Sequence, residues 1–362
     1  MKRILLLMLA VLMLLTACGD KKKTTKATEP ATEPSVTTPS ETEPTQPAEP
    51  LVYRNPLNGE VLESPWTGRA TAVVINNLKA ALPHYGTSEA DFLYELETES
   101  GITRMLAVFD NIADAGRIGP IRSCRTFFNN IAQSYDAVIV HCGGSVRGRN
   151  AGYEDSESKI ADWEHLDATY HGNKYFFRDN DRFKSQGYAW EHCLFSNGEK
   201  LFAGLEKLEI AAATERSTEF GLLFDEDVKL SGATANSVTV TFKDGKTTSF
   251  TYDAENNFYK TSQYGKEYID KNSGAVVIFR NVMVLYTNQW KRHDGEYSRS
   301  YYDLIGEGEG HLAIDGKIVA IKWSRESLES NFVYTLADGS PVTLGVGHTY
   351  VGITSNENTI YE

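Results

Sequence analysis

The sequence predicts a mixed α+β protein, with an N-terminal α/β domain followed by a mostly antiparallel β domain. Three observations carry this reading. In the first half, short continuous apolar runs frame stretches of helical spacing, the pattern of strands buried on both faces between helices. From about Glu219 the pattern changes to short alternating runs. Asp-Gly pairs at 244–245, 315–316 and 338–339 punctuate those runs, and Asp-Gly between strands favours a type I′ hairpin because both residues tolerate positive φ.

The first element is a leader. Lys2 and Arg3 precede an unbroken apolar run from Ile4 to Leu15, about the length of a signal-peptide core and too short to span a bilayer. The run ends at Leu15-Thr16-Ala17-Cys18, which resembles the bacterial lipobox. The expectation is a leader over 1–17 and a diacylglyceryl group on Cys18, since two acyl chains make a stable anchor.

Residues 18–50 read as a tether. The segment is Lys, Thr, Glu and Pro with Thr-Glu-Pro recurring, it holds no aromatic residue, and six of the eleven prolines fall in it. It cannot bury a core, and a stiff proline-rich chain at about 3.1 Å per residue spans roughly 100 Å. The folded part begins near Leu51 and divides into domains at 51–215 and 216–362.

In the first domain, Thr71 to Ile75 and Asp136 to Val140 read as buried strands. Phe127, Phe128, Ile131, Ala132 and Tyr135 recur at helical spacing between them, and a second helix is expected from Glu199 to Ala213, with Leu201, Leu205 and Leu208 on one side. In the second domain, Asp244-Gly245, Asp315-Gly316 and Asp338-Gly339 mark hairpins. Gly306-Glu307-Gly308-Glu309-Gly310 reads as a turn or bulge, because its glutamates would repel phosphate and no strand-to-helix context surrounds it.

The formal charge is −13, and loss of Lys2 and Arg3 with the leader makes the mature chain more acidic still. A polyanionic duplex is not expected as a partner, since phosphate binding rests on clustered Lys and Arg. Membrane attachment must come from the lipid on Cys18. The remaining cysteines, Cys124, Cys142 and Cys193, allow at most one intramolecular disulfide and show no Cys-x-x-Cys spacing. His165, His171, His192 and the two His-Cys pairs lack metal-site spacing, so neither a metal nor a cofactor is expected.

Two candidate sites follow. Alternation over Phe92 to Glu99 sets Glu95, Glu97 and Glu99 on one strand face, about 6.6 Å apart in succession, a spacing that overlaps the paired carboxylates of glycosidases. A hydrolase of wall glycan or peptide using Glu95 and Glu99, with His192 as a further candidate, is one reading. A solvated edge face is the other.

The second candidate is the arginine group Arg104, Arg117, Arg122 and Arg125. Arg122 and Arg125 sit at the start of a helix, where the macrodipole favours acids and repels cations, and such local violations mark functional sites. They either bind an external anion or neutralise the neighbouring glutamates. His141-Cys142-Gly143-Gly144-Ser145 closes a buried strand with a glycine turn, where open α/β sheets bind ligands. Cys142 there has the look of a nucleophile, but His141 as its neighbour on a strand points to the opposite face, and a buried structural thiol is the preferred reading.

The strings Val74-Ile75-Asn76-Asn77, Glu99-Ser100-Gly101-Ile102-Thr103-Arg104, Ile118-Gly119-Pro120-Ile121-Arg122-Ser123, His141-Cys142-Gly143-Gly144-Ser145, Phe177-Arg178-Asp179 and Asn281-Val282-Met283-Val284 resemble the YerB-like lipoproteins. The resemblance covers about Val73 to Ile353. It implies a lipid-anchored, exported envelope protein of Gram-positive type, on the outer face of the cytoplasmic membrane, built of two domains of unknown function. The family pattern does not require cysteine between His141 and Gly143, which lowers Cys142 further. Residues that combine a family string with a physical oddity are Glu99, Arg104, Arg122 and His141. With Arg125 they form the expected binding set for an anionic or carboxylate-bearing wall component or peptide. A protein-interaction subunit of a wall-synthesis or division assembly is the third reading.

Overall fold

The computed structural model describes residues 52–145, 163–210, 213, 219–294 and 297–362. The leader, Cys18, the tether and the domain boundary at 215 lie outside the described residues. From Leu51 to Glu362 the chain forms one compact unit.

The continuous apolar run at Thr71 builds β1 (Thr71–Asn76), buried at every position. It pairs antiparallel with β3 (Ile102–Phe109), which forms a hairpin with β2 (Phe92–Glu99). Ser100 and Gly101 turn that hairpin, both with positive φ. Next come α1 (Thr126–Ser134), β4 (Val138–His141) and β5 (His165–Asp167). β1, β4 and β5 lie side by side and parallel, the arrangement expected for strands buried on both faces.

The helical segment α2 (Ala168–Tyr175) follows β5, and α3 (Gly198–Lys207) closes the first half. α3 is shorter than the expected Glu199–Ala213. It is capped by Asn197, whose side chain accepts from the Lys200 N–H at 2.9 Å, and its cap residue Leu208 is exposed. Gly204 within it is a packing requirement, since a Cβ there would lie 3.0 Å from Leu166 and 3.1 Å from the Tyr175 ring.

The second half is strand throughout: β6 (Ser237–Thr241), β7 (Thr247–Asp253), β8 (Phe258–Gln263), β9 (Asn281–Tyr286), β10 (Gly306–Ile314), β11 (Lys317–Arg325) and β12 (Thr349–Thr354) among the described elements. Of the Asp-Gly pairs named above, Asp315-Gly316 makes the expected turn, with φ of 52° and 69°. At Asp244-Gly245 and Asp338-Gly339 only the glycine has positive φ. There the N–H groups of Gly245 and Gly339 bond back to Phe242 and Leu336, so these are three-residue loops closed by a glycine bulge.

Gly306 to Gly310 is not a turn; it opens β10. Trp323 Nε1 donates to the Tyr286 carbonyl at 2.9 Å, and a Cβ at Gly308 would lie 2.5 Å from that nitrogen. Gly308 and Gly310 are crowded positions of a strand, whereas Gly306 takes a positive φ in open space.

β12 lies parallel between β2 and β9. Strands of both halves thereby join one sheet, thirteen-stranded over the described residues, running β11-β10-β9-β12-β2-β3-β1-β4-β5 along its main path. On one face, Val74, Leu96 and Leu106 share a core with Phe127, Phe128 and Ile131 of α1. On the other, Val73, Ile75 and Met105 share a core with Leu201 of α3 and with Val240 and Phe250 of the smaller β6-β7-β8 sheet.

Candidate functional site

Alternation in β2 breaks at its end. Glu97 stands opposite Thr103 but Glu99 stands opposite Ile102, so Thr98 is a bulge and Glu99 turns to the face of α1. The expected single row of three glutamates is therefore split, with Glu95 and Glu97 on one face and Glu99 on the other.

Glu95 is fully buried beneath the β6-β7-β8 sheet. It accepts from Asn77 (2.8 Å), Thr103 (2.6 Å), Thr248 (2.7 Å) and Tyr350 (2.9 Å), and it pairs with Lys246. Glu97 accepts from the Asp244 N–H at 2.9 Å and meets Lys291 at 3.2 Å. Carboxylates so saturated with donors hold structure together. His192 is held elsewhere, its Nδ1 2.9 Å from the Asn76 side-chain nitrogen. Glu95, Glu99 and His192 thus share no cleft.

The arginines do come together. Arg125 closes a fork on Glu99, with Nη2 at 2.7 Å and Nε at 3.3 Å, and Arg104 Nη2 reaches the same carboxylate at 3.0 Å. Their remaining donors tie down the approach to α1, Arg104 to the Ser123 carbonyl at 2.9 Å and Arg125 to the Cys124 carbonyl at 2.7 Å. Arg125 is also the N-cap residue of α1, in extended conformation and without a side-chain cap. Glu99 supplies there the negative charge that the helix dipole favours.

Burial alone would raise the Glu99 carboxyl; Arg104 and Arg125 outweigh it and hold it at about 2. Burial pushes the Arg104 guanidinium down to about 9, and repulsion from Arg125 and Arg122 adds to the pull against Glu99. A guanidinium stays charged at neutral pH; the depression comes first from burial, and the neighbouring arginines add repulsion to it.

Arg122 is its accessible member. Its backbone is laced between strands, the N–H donating to Val74 at 2.9 Å and the carbonyl accepting from Cys142 at 3.1 Å. Its side chain is 27% exposed and meets Glu191, itself half exposed, at 3.5 Å. Arg117 does not join the group: it stacks on the Tyr85 and Phe195 rings at 4.2 and 3.8 Å and pairs with Asp179 at 2.5 Å.

The carboxyl ends of β1, β4 and β5 bring Asn76, His141 and Asp167 to one edge of the sheet. His141 is buried, and its Nδ1 lies 2.8 Å from the Gly143 carbonyl. A carbonyl only accepts, so Nδ1 carries the proton. Burial keeps the ring neutral, which leaves Nε2 as a buried acceptor without a partner. Asp167, absent from the sequence reading, holds this edge together by accepting at 2.8 Å from both the Gly143 and the Thr169 N–H. Its position just before α2 is an N-cap signal. Burial and Asp167 raise the Cys142 thiol, the opposite of what an attacking thiolate needs. Among the described residues Cys124, Cys142 and Cys193 form no disulfide.

Comparison with known proteins agrees with this architecture. The model of the N-terminal domain of a protein family of unknown function, DUF3048, matches residues 57–211, and the model of its C-terminal domain matches residues 238–351. The chain is 26% identical over 304 residues to the curated protein named "Putative lipoprotein YerB" of Bacillus subtilis (strain 168), covering 82% of this chain and 85% of that one. The crystal structure of the YerB protein from Bacillus subtilis superposes with a TM-score of 0.68 at 24% identity, over 84% of this chain and 97% of that one. That likeness establishes the fold.

Proposed function

Because the chain belongs to the DUF3048 family of YerB-like proteins, whose two domains are of unknown function, we propose its function from the site itself. It is an exported envelope lipoprotein of Gram-positive type that binds an anionic or carboxylate-bearing wall component or peptide. A diacylglyceryl group on Cys18 holds it to the outer face of the cytoplasmic membrane, and residues 18–50 carry the folded part outward. The "lipoprotein" in the name of its relative and the Leu15-Thr16-Ala17-Cys18 string support the anchor.

One observation carries the binding role. Arg104, Arg122 and Arg125 bring three cations together, and the buried carboxylate that answers them is Glu99 alone among the described residues, with Glu191 half exposed beside Arg122. An uncompensated buried cation is costly, and an external anion docking on Arg122 would supply the missing charge through a bidentate guanidinium contact. Arg125 and Arg104 preset the surface, and His141 offers an acceptor at the neighbouring strand end.

The test is co-sedimentation of the full chain with purified Gram-positive walls. The wild type is expected to pellet with the walls and Arg122→Gln to stay in the supernatant. Equal pelleting of both would overturn the reading.

A further inference from the structure

Just past the carboxyl end of β1, the chain passes through the short turn Lys79–Ala81. A cavity of about 320 Å³ lies between this turn and the hairpin that follows β8. Its lining includes Gln263, the last residue of β8, which is 3% exposed. Both Oε1 and Nε2 of Gln263 lack a hydrogen-bond partner. A buried carboxamide with every polar atom unmet is a rare and costly state, and native proteins keep such groups for a reason.

The rest of the cavity indicates that reason. Leu82, Pro83 and Ile269 contribute apolar wall, and the exposed Lys79 and Lys266 bring two cations against the single carboxylate of Glu267. Tyr264 closes one side, its hydroxyl donating to the Asn77 carbonyl at 2.5 Å. Small-molecule sites have this composition: apolar walls with a few convergent polar groups. A carboxamide offers both a donor and an acceptor, and the group that satisfies both at once is another amide.

From this juxtaposition we infer that the cavity is a second binding site, distinct from the arginine cluster, for a small ligand that carries an amide next to a carboxylate, as at the C-terminus of a peptide. The ligand's amide pairs with Gln263 and its carboxylate meets Lys79 and Lys266.

Calorimetric titration of the full chain in detergent micelles with N-acetyl-alanyl-alanine tests this. Saturable binding is expected in the wild type. Gln263→Leu should weaken it at least about tenfold, the loss typical when a site built to hydrogen-bond a ligand group cannot, while raising the melting temperature by removing an unmet amide. The double variant Lys79→Ala, Lys266→Ala changes only exposed side chains and keeps the test decisive if Gln263→Leu fails to fold. It should weaken the acetylated dipeptide but leave its C-terminal amide, which has no carboxylate, unaffected. No saturable binding to the wild type, or equal affinity in the variants, would overturn the assignment.

Discussion

Arg125 Nη2 lies 2.7 Å from Glu99 Oε1, joining the N-cap of α1 to the end of β2 through a bulge that turns the glutamate out of the row it would otherwise share with Glu95 and Glu97. This pairing makes Arg125 part of a structural ion cluster and leaves Arg122 as the arginine that faces solvent. The question of an anion site against an internal charge cluster thus divides by residue: Arg104 and Arg125 hold Glu99, and Arg122 is available.

Glu99 should make stability depend on acid. Its carboxyl is held at about 2 against an ordinary 4.5. A folded-state pKa lowered in this way contributes stability that is fully present above about 4.5 and is lost as the pH falls toward 2, a difference of about 3 kcal/mol. Urea unfolding of wild type and Glu99→Gln should therefore show a gap that is widest near neutrality and narrows by about that amount between roughly pH 5 and pH 2. A gap independent of pH would mean that Arg104 and Arg125 do not hold the carboxylate.

Glu95 and Lys246 make a buried pair in the core between the two sheets. Lys246→Met should cost about 3 to 5 kcal/mol in urea unfolding, because it strands a buried carboxylate. Replacing both residues, Glu95→Leu with Lys246→Met, should recover much of the loss, since the desolvation of two charges is then removed. A cost below about 1 kcal/mol for Lys246→Met would remove the structural role assigned to Glu95.

The sequence reveals elements whose signals are local. The strands at Thr71 and Val138 are continuous apolar runs and α1 keeps a helical period, so all three are legible. The sharing of one sheet by both halves is not, because the pairing of β12 with β2 is set by contacts between residues far apart in the chain, which no local period records. The bulge at Thr98 is hidden for a related reason: Tyr94 to Glu99 alternates without a flaw, and only the register against Ile102 and Thr103 shows the break. The arginine cluster is legible as a violation of the helix-dipole rule at Arg122 and Arg125. Its partition is not, because which arginine Glu99 takes depends on that same bulge. Asp167 carries an N-cap signal, but its bond to Gly143 joins two separate strand ends and has no trace in the sequence.

Cys18→Ala should release the chain from the membrane fraction or leave it with its leader uncleaved. Acylation needs that sulfur, and the two chains it would carry contribute about 0.8 kcal/mol per buried methylene, while an acidic body has no attraction of its own for an anionic bilayer. Fractionation that finds the variant membrane-bound after leader cleavage would contradict the anchor.

Titration of muramidase-released wall fragments into wild type and Arg122→Gln, with the melting curve of each recorded alongside, tests the central claim most directly. Arg122 is partly exposed and its partner Glu191 more so, so its loss should leave stability within about 0.5 kcal/mol. Binding should weaken at least about tenfold, the value of one charge-assisted bidentate contact. Unchanged affinity in Arg122→Gln, or a large loss of stability with it, would contradict the account.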